Sequence, residues 1–511
     1  MKKGHRRGIA VPGKIITAGL LILLQIALFA IVGMSVSRLA TFVYRLVEVL
    51  AVVLVFVIIN QKGNPSYKLT WIIFIITTPF VGGILFFLWG NGKVKPILRK
   101  RMRALKKHNR KFLQQTQETA YLLEQQDTYH AHQSQFLYRE SGYPVYTDTS
   151  VEYLSPGEKF FPRMLEELEN AEKYIFLEYF ILVDGEMWDR IYEILKRKVK
   201  EGVEVRIIFD DFGSISRQPK NFVKNMRENG IKVISFNKIR ASVDLVLNNR
   251  DHRKICVIDG YVSMTGGINI ADEYINLTSP HGYWLDSAVI MKGAATTSFV
   301  VAFCEMWGSI SREKMNPAKY IVGNFPKATG FVQPYVENPL DDDCFPGEGI
   351  YRQILNTARN YVYIMTPYLI LDNTMMAAIK SAAKAGIDVR IITPKIRDKW
   401  YVHPVTQFNY SELLEAGVRI FEFTPGFIHS KVFVSDDSVA TCGTVNMDYR
   451  SFYFHFECGV WMCGNETVHD MREDFLRVQS KSQEIIKEKW AKRPLRKRFV
   501  QALLNVFAPF M

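Results

Sequence analysis

Long apolar runs dominate the first hundred residues. Ile15 to Ser37 holds 23 positions without a charge, and Leu69 to Gly92 holds 24. Each exceeds the roughly 20 residues that cross a hydrocarbon core, so spans are expected at about 15–37 and 69–90. The first run is also longer than the apolar core of about 7–15 residues in a cleaved secretory signal. Between them, Val49 to Gln61 is apolar over only 13 positions, bounded by Glu48 and Lys62, which is short for a span. Lys2, Lys3, Arg6, Arg7 and Lys14 precede the first run, and ten basic residues follow the last, from Lys93 to Lys111. Positive charge collects on the cytoplasmic side, so both ends prefer the cytoplasm and the number of crossings is expected to be even. Two spans and a non-crossing middle segment, 49–61, satisfy this. Residues 1–92 are therefore read as a membrane anchor and 93–130 as a basic juxtamembrane linker, with His130 and His132 solvated.

Beyond about residue 130 the pattern changes to short apolar strands alternating with helices, which predicts an α/β sheet. The pattern also repeats. Tyr174-Ile-Phe-Leu-Glu-Tyr-Phe resembles Tyr361-Val-Tyr-Ile-Met-Thr-Pro, and each is followed by a helix. Those helices close at Gly202 and Gly386, 184 residues apart; the next pair, Gly230 and Gly417, is 187 apart. A glycine that ends a helix before a buried strand is a common helix stop. Two tandem α/β units are expected, 131–325 and 326–485, packed about a pseudo-two-fold axis. Residues 486–511 set Lys492, Arg493, Arg496, Lys497 and Arg498 against Phe499, Val500, Leu503, Leu504, Phe507 and Phe510. That composition fits an interfacial helix on anionic headgroups, or equally a helix packed on the globular core.

Each repeat carries His-x-Lys-x4-Asp: His252, Lys254 and Asp259, then His429, Lys431 and Asp436. With 10 His, 65 Lys+Arg and 51 Asp+Glu in 511 residues, chance supplies roughly 0.13 such matches even when any basic and any acidic residue is accepted. Two strict matches at equivalent places are no accident. Each is followed, 17 residues after its His, by an Asn, Asn269 and Asn446, behind a glycine turn. Residues i and i+2 of a strand share a face, so each His projects with its Lys. Two imidazoles and two ammoniums converging on one point, with two Asn amides, make a pocket for a tetrahedral phosphate and its transition-state charge. One neutral imidazole can attack phosphorus while a second, protonated, gives a proton to the leaving oxygen. Asp259 and Asp436, four residues beyond each Lys, are expected at the distal ends of their strands as structural supports. Asp286 and Glu457, on the strands that follow, are the candidates for orienting the imidazoles. No cofactor is expected: His-Glu-x-x-His, paired Cys-x-x-Cys, Walker and dinucleotide glycine motifs are all absent, and no metal ligand set is visible.

Composition narrows the function class. The chain is 48% hydrophobic and 23% charged, which excludes a disordered tail protein. A net charge of +14 suits an anionic partner, nucleic acid or anionic lipid. Much of that charge lies beside the apolar runs, which favours anionic lipid. Cys256, Cys442, Cys458 and Cys463 sit in strand-like runs and are read as buried free thiols.

The paired motifs, spanning about 246–273 and 423–450, resemble those of the phospholipase D superfamily. The strings Asn64-Pro-Ser-Tyr-Lys-Leu-Thr-Trp71, Gly266-Gly-Ile-Asn-Ile-Ala-Asp-Glu-Tyr274 and Asn446-Met-Asp-Tyr-Arg-Ser-Phe452 resemble, within it, the bacterial cardiolipin synthases. The resemblance covers about residues 45–511. It implies a metal-independent phosphatidyltransferase of the bacterial cell membrane, multi-pass, with its catalytic unit facing the cytoplasm. Such an enzyme joins two phosphatidylglycerols into cardiolipin and releases glycerol through a phosphatidyl-histidine. His252 and His429 match the nucleophile and acid/base pair; Lys254, Lys431, Asn269 and Asn446 match phosphate-holding groups; Asp259 and Asp436 match the motif aspartates. Phosphatidylglycerol and anionic membrane lipid are the expected partners, and nucleic acid is not. Two departures stand out: Asp251 where the synthases usually show Asn, and Leu285 where they usually have Arg. The rival readings are a lipid hydrolase, in which water replaces the second alcohol, and a membrane-anchored nucleic-acid phosphodiesterase.

Overall fold

The computed structural model describes residues 38–90, 96–214, 217–238, 249–323, 325–340 and 344–511. The expected span 15–37 and the basic residues Lys2 to Lys14 lie outside the described residues. Two compact units make up the chain: Met1–Lys93 with Arg240–Asn248 and Phe510, and the remainder.

In the first unit a helix runs over Arg38–Asn60. Its segment Thr41–Asn60 is, among the described residues, the one helix long and apolar enough to cross a membrane. The segment expected to stop at Glu48 is thus the C-terminal half of a longer helix. The charge at Glu48 does not end it because Arg45, one turn earlier, pairs with the carboxylate at 3.1 Å, an i,i+3 contact on a helix surface. The second run, 69–90, is not one helix. Asn64 accepts from Ser66 N at 2.9 Å to cap Pro65–Thr77. Pro79 then restarts the chain as Pro79–Leu85 and a π turn, Phe86–Gly90, as a residue without an amide hydrogen does inside a helix. The break lets Gly82 sit against the preceding helix, where a Cβ would lie 2.7 Å from the Phe74 carbonyl.

The second unit holds the duplication. Its first sheet comprises β1 (Thr149–Leu154), β2 (Tyr174–Tyr179), β3 (Glu204–Asp210), β4 (Lys232–Phe236), β5 (Lys254–Ile258), β6 (Val262–Gly266) and, after β7 (Tyr283–Leu285), β8 (Ala288–Gly293). The second comprises β9 (Phe331–Glu337), β10 (Tyr361–Met365), β11 (Asp388–Pro394), β12 (Arg419–Phe423) and, after β13 (Gly426–Ile428), β14 (Val432–Ser435), β15 (Val439–Gly443), β16 (Glu457–Cys463) and β17 (Ser482–Glu484). The strand orders, β4-β3-β2-β5-β6-β8-β1 and β12-β11-β10-β14-β15-β16-β9, correspond strand for strand, and β17 is added at one edge. The glycines read as helix stops have φ of +94° at Gly202 and Gly386, +81° at Gly230 and +98° at Gly417, the left-handed region that favours glycine.

One core lies between the sheets, built from Phe176, Ile255, Val257, Val289, Val432, Cys442 and Met462 around the helix Thr296–Ser311. Separate cores fill the outer faces. Cys256, Cys442, Cys458 and Cys463 are buried and free, as read from their apolar surroundings, and Cys304 is buried and free as well. The stretch expected as a solvated linker is folded. Pro96–Asn109 and Gln117–Gln126 are helices that bury Met102 and Leu123 while their charges face outward. His130 lies in the helix Thr128–Ser141, with Nε2 3.3 Å from the Ser438 hydroxyl. At the C-terminus, Leu495–Asn505 packs on Val402–Glu415 through polar groups: Gln501 donates to Gln407 at 3.3 Å, and Arg493 donates to Ser411 at 2.9 Å. Leu495, Phe499 and Leu503 are left 76%, 69% and 52% exposed.

Asp259 and Asp436 end the motif strands, both in the left-handed region with φ of +52° and +55°. The Asp259 carboxylate accepts from the amides of Glu172, Lys173 and Tyr174 at 2.7–2.8 Å. Asp436 repeats this with Arg359, Asn360 and Tyr361 at 2.7–2.9 Å. Each aspartate therefore ties the end of one central strand to the start of its neighbour. Asp259→Ala strands three donors and puts a Cβ-branchless but non-polar residue at positive φ; thermal or denaturant unfolding is expected to show a loss of about 2 kcal/mol. Asp259→Asn, which keeps an acceptor and tolerates that backbone, is expected to lose roughly half as much. Equal stability of Asp259→Ala and the parent would remove the structural role.

Candidate active site

β5 and β14 lie at the centre of their sheets, and each motif histidine sits just ahead of its strand rather than inside it. His252 precedes β5, whose first residue is Lys254; His429 follows β13, and Lys431 immediately precedes β14. The reason is that their backbones pair across the two copies. His252 N donates to the Phe456 carbonyl at 2.9 Å, and His429 N donates to the Leu285 carbonyl at 2.7 Å. A parallel pairing of β13 with β7 and a parallel bridge between Asp251 and Phe456 complete the two junctions.

The side chains cross over as well. His252 Nδ1 lies 2.9 Å from both carboxylate oxygens of Glu457. His429 Nδ1 lies 2.6 Å from Asp286 Oδ2. A carboxylate only accepts, so each Nδ1 carries the proton and each Nε2 keeps its lone pair. Asp286 and Glu457 thus do face the imidazoles, each serving the histidine of the other copy, an exchange that position along the chain does not reveal.

The neighbouring glycine turn explains why one acid is Asp and the other Glu. A Cβ on Gly267 would lie 2.0 Å from Asp286 Oδ1, so the short carboxylate occupies the space a side chain would need. At the equivalent place the second copy has Thr444, whose hydroxyl donates to Glu457.

Electrostatics follow from enclosure. His252, His429, Lys254 and Lys431 are all buried. Burial, then the charges of Lys254 and Lys431, holds the His252 imidazolium well below its ordinary pKa. Burial and Lys431 hold His429 at about 4, against the pull of Asp286. Burial brings Lys254 down to about 7 and Lys431 to about 8, opposed by Glu457 and Asp286 respectively. Both imidazoles are therefore neutral near pH 7 before an anion enters, and both ammoniums are poised to lose protons just above it. Lys254 donates to the His252 carbonyl at 2.6 Å, and Lys431 does the same to the His429 carbonyl. Aromatic walls keep water away: Phe180 stands 5.0 Å from the His252 ring, and Trp284 and Tyr274 stand 5.3 and 5.5 Å from the His429 ring.

The remaining candidates divide. Asn269 Oδ1 accepts from Ile181 N at 2.9 Å, and its amide donates to Tyr274 Oη at 2.7 Å. The Asn446 side chain bonds to Asp448, while its Oδ1 is buried without a partner among the described residues. Asp259 and Asp436 stand at the far ends of their strands, as expected. Asp251, the first departure from the synthase pattern, is raised well above the usual carboxyl range by burial and by Glu178. Leu285 contributes its carbonyl to His429 and its side chain to the core.

Sequence reasoning missed His455. It is buried, its ring centroid is 5.5 Å from that of His252, and one potential ligand atom each from His252, His455 and Glu457 lie within 4.8 Å of one another. Its place two residues before Glu457 was the available signal.

The family described as the cardiolipin synthase PLD-like domain matches residues 164–307 and 351–479, once on each sheet. The family described as the phospholipase D-nuclease N-terminal region matches 49–91. An uncharacterized protein of Streptococcus mutans is 39% identical over 460 residues, covering 89% of this chain and 98% of its own. A cardiolipin synthase of Geobacillus sp. (strain WCH70) is 30% identical over 472 residues, covering 91% and 93%. Among solved structures, a phosphatidylserine synthase of Haemophilus influenzae shares the fold at a TM-score of 0.54 with 14% identity, covering 70% of this chain and 93% of that one. With two copies of that domain, relatives along nearly its whole length and an N-terminal apolar helix, the chain belongs to the bacterial cardiolipin synthases of the phospholipase D superfamily, a family of membrane-associated phosphatidyltransferases.

Proposed function

We propose that the chain transfers a phosphatidyl group between two phosphatidylglycerols, and that the crossed imidazole–carboxylate pairs carry the reaction. The supporting observation is that each imidazole is neutral, with Nδ1–H held by a buried carboxylate and Nε2 left with its lone pair. The phosphodiester enters between Lys254 and Lys431, and its negative charge raises the imidazole pKa values, so one of the pair can arrive protonated. His252 Nε2 attacks phosphorus. The bond from phosphorus to the glycerol oxygen breaks, and His429 gives that oxygen its proton. In the second half, His429 takes the proton from the terminal hydroxyl of another phosphatidylglycerol. Its oxygen attacks phosphorus, the P–N bond breaks, and cardiolipin leaves. Glu457 and Asp286 hold the rings and stabilise imidazolium as it forms. Asn269, through Tyr274, and Asn446 line the phosphate region, and Asp259 and Asp436 hold the motif strands. No step in this scheme passes through a metal.

The same reading sets the protein at a membrane. The catalytic unit is assigned to the cytoplasmic side because the helix Pro96–Asn109 and its flank concentrate positive charge after the last apolar segment. The exposed apolar side of Leu495–Asn505, flanked by Arg496, Lys497 and Arg498, is assigned to anionic headgroups.

Full-length protein given head-group-labelled phosphatidylglycerol in excess chelator is expected to yield cardiolipin and free glycerol. Phosphatidic acid as sole product would replace transfer by hydrolysis, and turnover of DNA alone would dismiss a lipid substrate. His429→Ala is expected to lose at least about a thousandfold in turnover while trapping lipid on His252 through an acid-labile P–N bond. An adduct mapped to His429 in the parent would reverse the assignment.

Plotted against pH, kcat/KM reports groups of the free enzyme. The acid limb is expected below the 6.5 of a free imidazole, because burial depresses both histidines. The alkaline limb is expected near pH 7–8, where Lys254 and Lys431 discharge. Lys254→Arg, permanently charged, is expected to move that limb upward even if turnover falls. An unmoved limb would take the lysines out of it.

A cysteine replacing exposed Gln135 is expected to resist an impermeant thiol reagent in intact cells and to react after permeabilisation. Labelling in intact cells would put the catalytic unit outside.

A further inference from the structure

The transfer scheme leaves His455 without a task. It is buried, and neither ring nitrogen has a hydrogen-bond partner among the described residues. Its Nδ1 stands 3.6 Å from Glu457 Oε1, too far for a hydrogen bond. A neutral imidazole keeps one ring nitrogen with an unshared lone pair, which is what a metal takes. An unsatisfied polar ring in such a place is costly unless something occupies it.

The surroundings say what fits. His252, His455 and Glu457 offer two imidazole nitrogens and a carboxylate oxygen, all buried and mutually within 4.8 Å. Ligands around a tetrahedral Zn²⁺ at about 2.0–2.2 Å sit roughly 3.3 Å apart, so atoms that lie within 4.8 Å of one another need to close by at most about 1.5 Å. The backbone holds them ready. His455 N donates to the Arg450 carbonyl at 2.9 Å, and His252 N donates to the Phe456 carbonyl at 2.9 Å. Thr444 donates to the same Glu457, supplying the outer hydrogen bond that ligating carboxylates usually have. Lys254 and Lys431 oppose a dication, and the Glu457 carboxylate among the three groups offsets part of its charge.

We propose that His252, His455 and Glu457 form a Zn²⁺ site whose occupation reversibly blocks transfer. On binding, the His252 Nδ1 lone pair goes to the metal and the ring proton moves from Nδ1 to Nε2, so the imidazole stays neutral and the fourth position stays open to water or a phosphate oxygen. His252 loses its Glu457 hydrogen bond, and Nε2, now carrying the proton, has no lone pair with which to attack phosphorus. The blocking role rests on His252 acting in the transfer; the metal site itself does not.

Full-length protein in detergent, stripped with chelator, is dialysed against buffered Zn²⁺ and its bound metal counted, then titrated with Co²⁺. One Zn²⁺ per chain is expected, with affinity at least about tenfold weaker in both His455→Asn and His455→Gln. Bound Co²⁺ is expected to show d–d bands without a thiolate charge-transfer band. No stoichiometric metal, unchanged affinity in a folded variant, or a thiolate band assigning the metal to a cysteine would each overturn the site. Because these readouts need no turnover, a failed lipid assay leaves them intact. Zn²⁺ bound at this stoichiometry without lowering cardiolipin formation in the parent would overturn the block.

Discussion

Two buried imidazole–carboxylate bonds, each joining one copy of the fold to the other, constrain this molecule more than any other contact. Removing the imidazole from a buried carboxylate leaves a charged acceptor unsatisfied, which costs more than the roughly 1–3 kcal/mol of a neutral buried group left without its partner. Geometry around His252–Glu457 and His429–Asp286 is correspondingly over-determined. Backbone amides of both histidines are pinned to carbonyls of the opposite copy, β7 and β13 pair alongside, and the core between the sheets leaves no room for them to slide. The duplicated strand order then reads as what is needed to present two rings to one point with their outer nitrogens already fixed.

Enclosure does the electrostatic work. Four cationic or potentially cationic groups share a dry pocket, and each is depressed mainly because water is missing. A phosphodiester arriving there meets groups whose charge state it can change, which is a different condition from meeting a permanently charged surface. The same exclusion, with Glu178 alongside, pushes the Asp251 carboxyl well above the ordinary carboxylate range.

Much of this was readable from the chain. Strand and helix periodicity, the closing glycines and the doubled His-x-Lys-x4-Asp are local signals, and the local geometry follows them. Asp286 and Glu457 are legible as acids near the rings, because Asp286-Ser-Ala-Val-Ile-Met and Glu457-Cys-Gly-Val-Trp-Met align as the strands that follow the two motifs. Which ring each one faces is not, since the exchange depends on contacts between segments 143 and 205 residues apart. The helix Arg38–Asn60 was cut short by treating Glu48 as a boundary, although Arg45 one turn away neutralises it. The stretch 93–130 reads as a linker because its charge hides the few apolar positions, Met102 and Leu123 among them, that its helices bury. His455 was invisible for another reason. Nothing in Phe-His-Phe distinguishes a core histidine from a ligand until both nitrogens are seen to lack partners.

Gly267 and Thr444 occupy equivalent positions, yet neither can be exchanged alone. Any side chain at Gly267 displaces the Asp286 carboxylate, and a glycine at Thr444 removes the hydroxyl that steadies Glu457. The residue in the turn and the length of the acid facing it are therefore a matched set in each half. Making the halves alike one residue at a time leaves one turn facing an acid of the wrong length. A duplication that began with two identical halves is in this way locked into remaining two different ones, with drift permitted only where two positions change together.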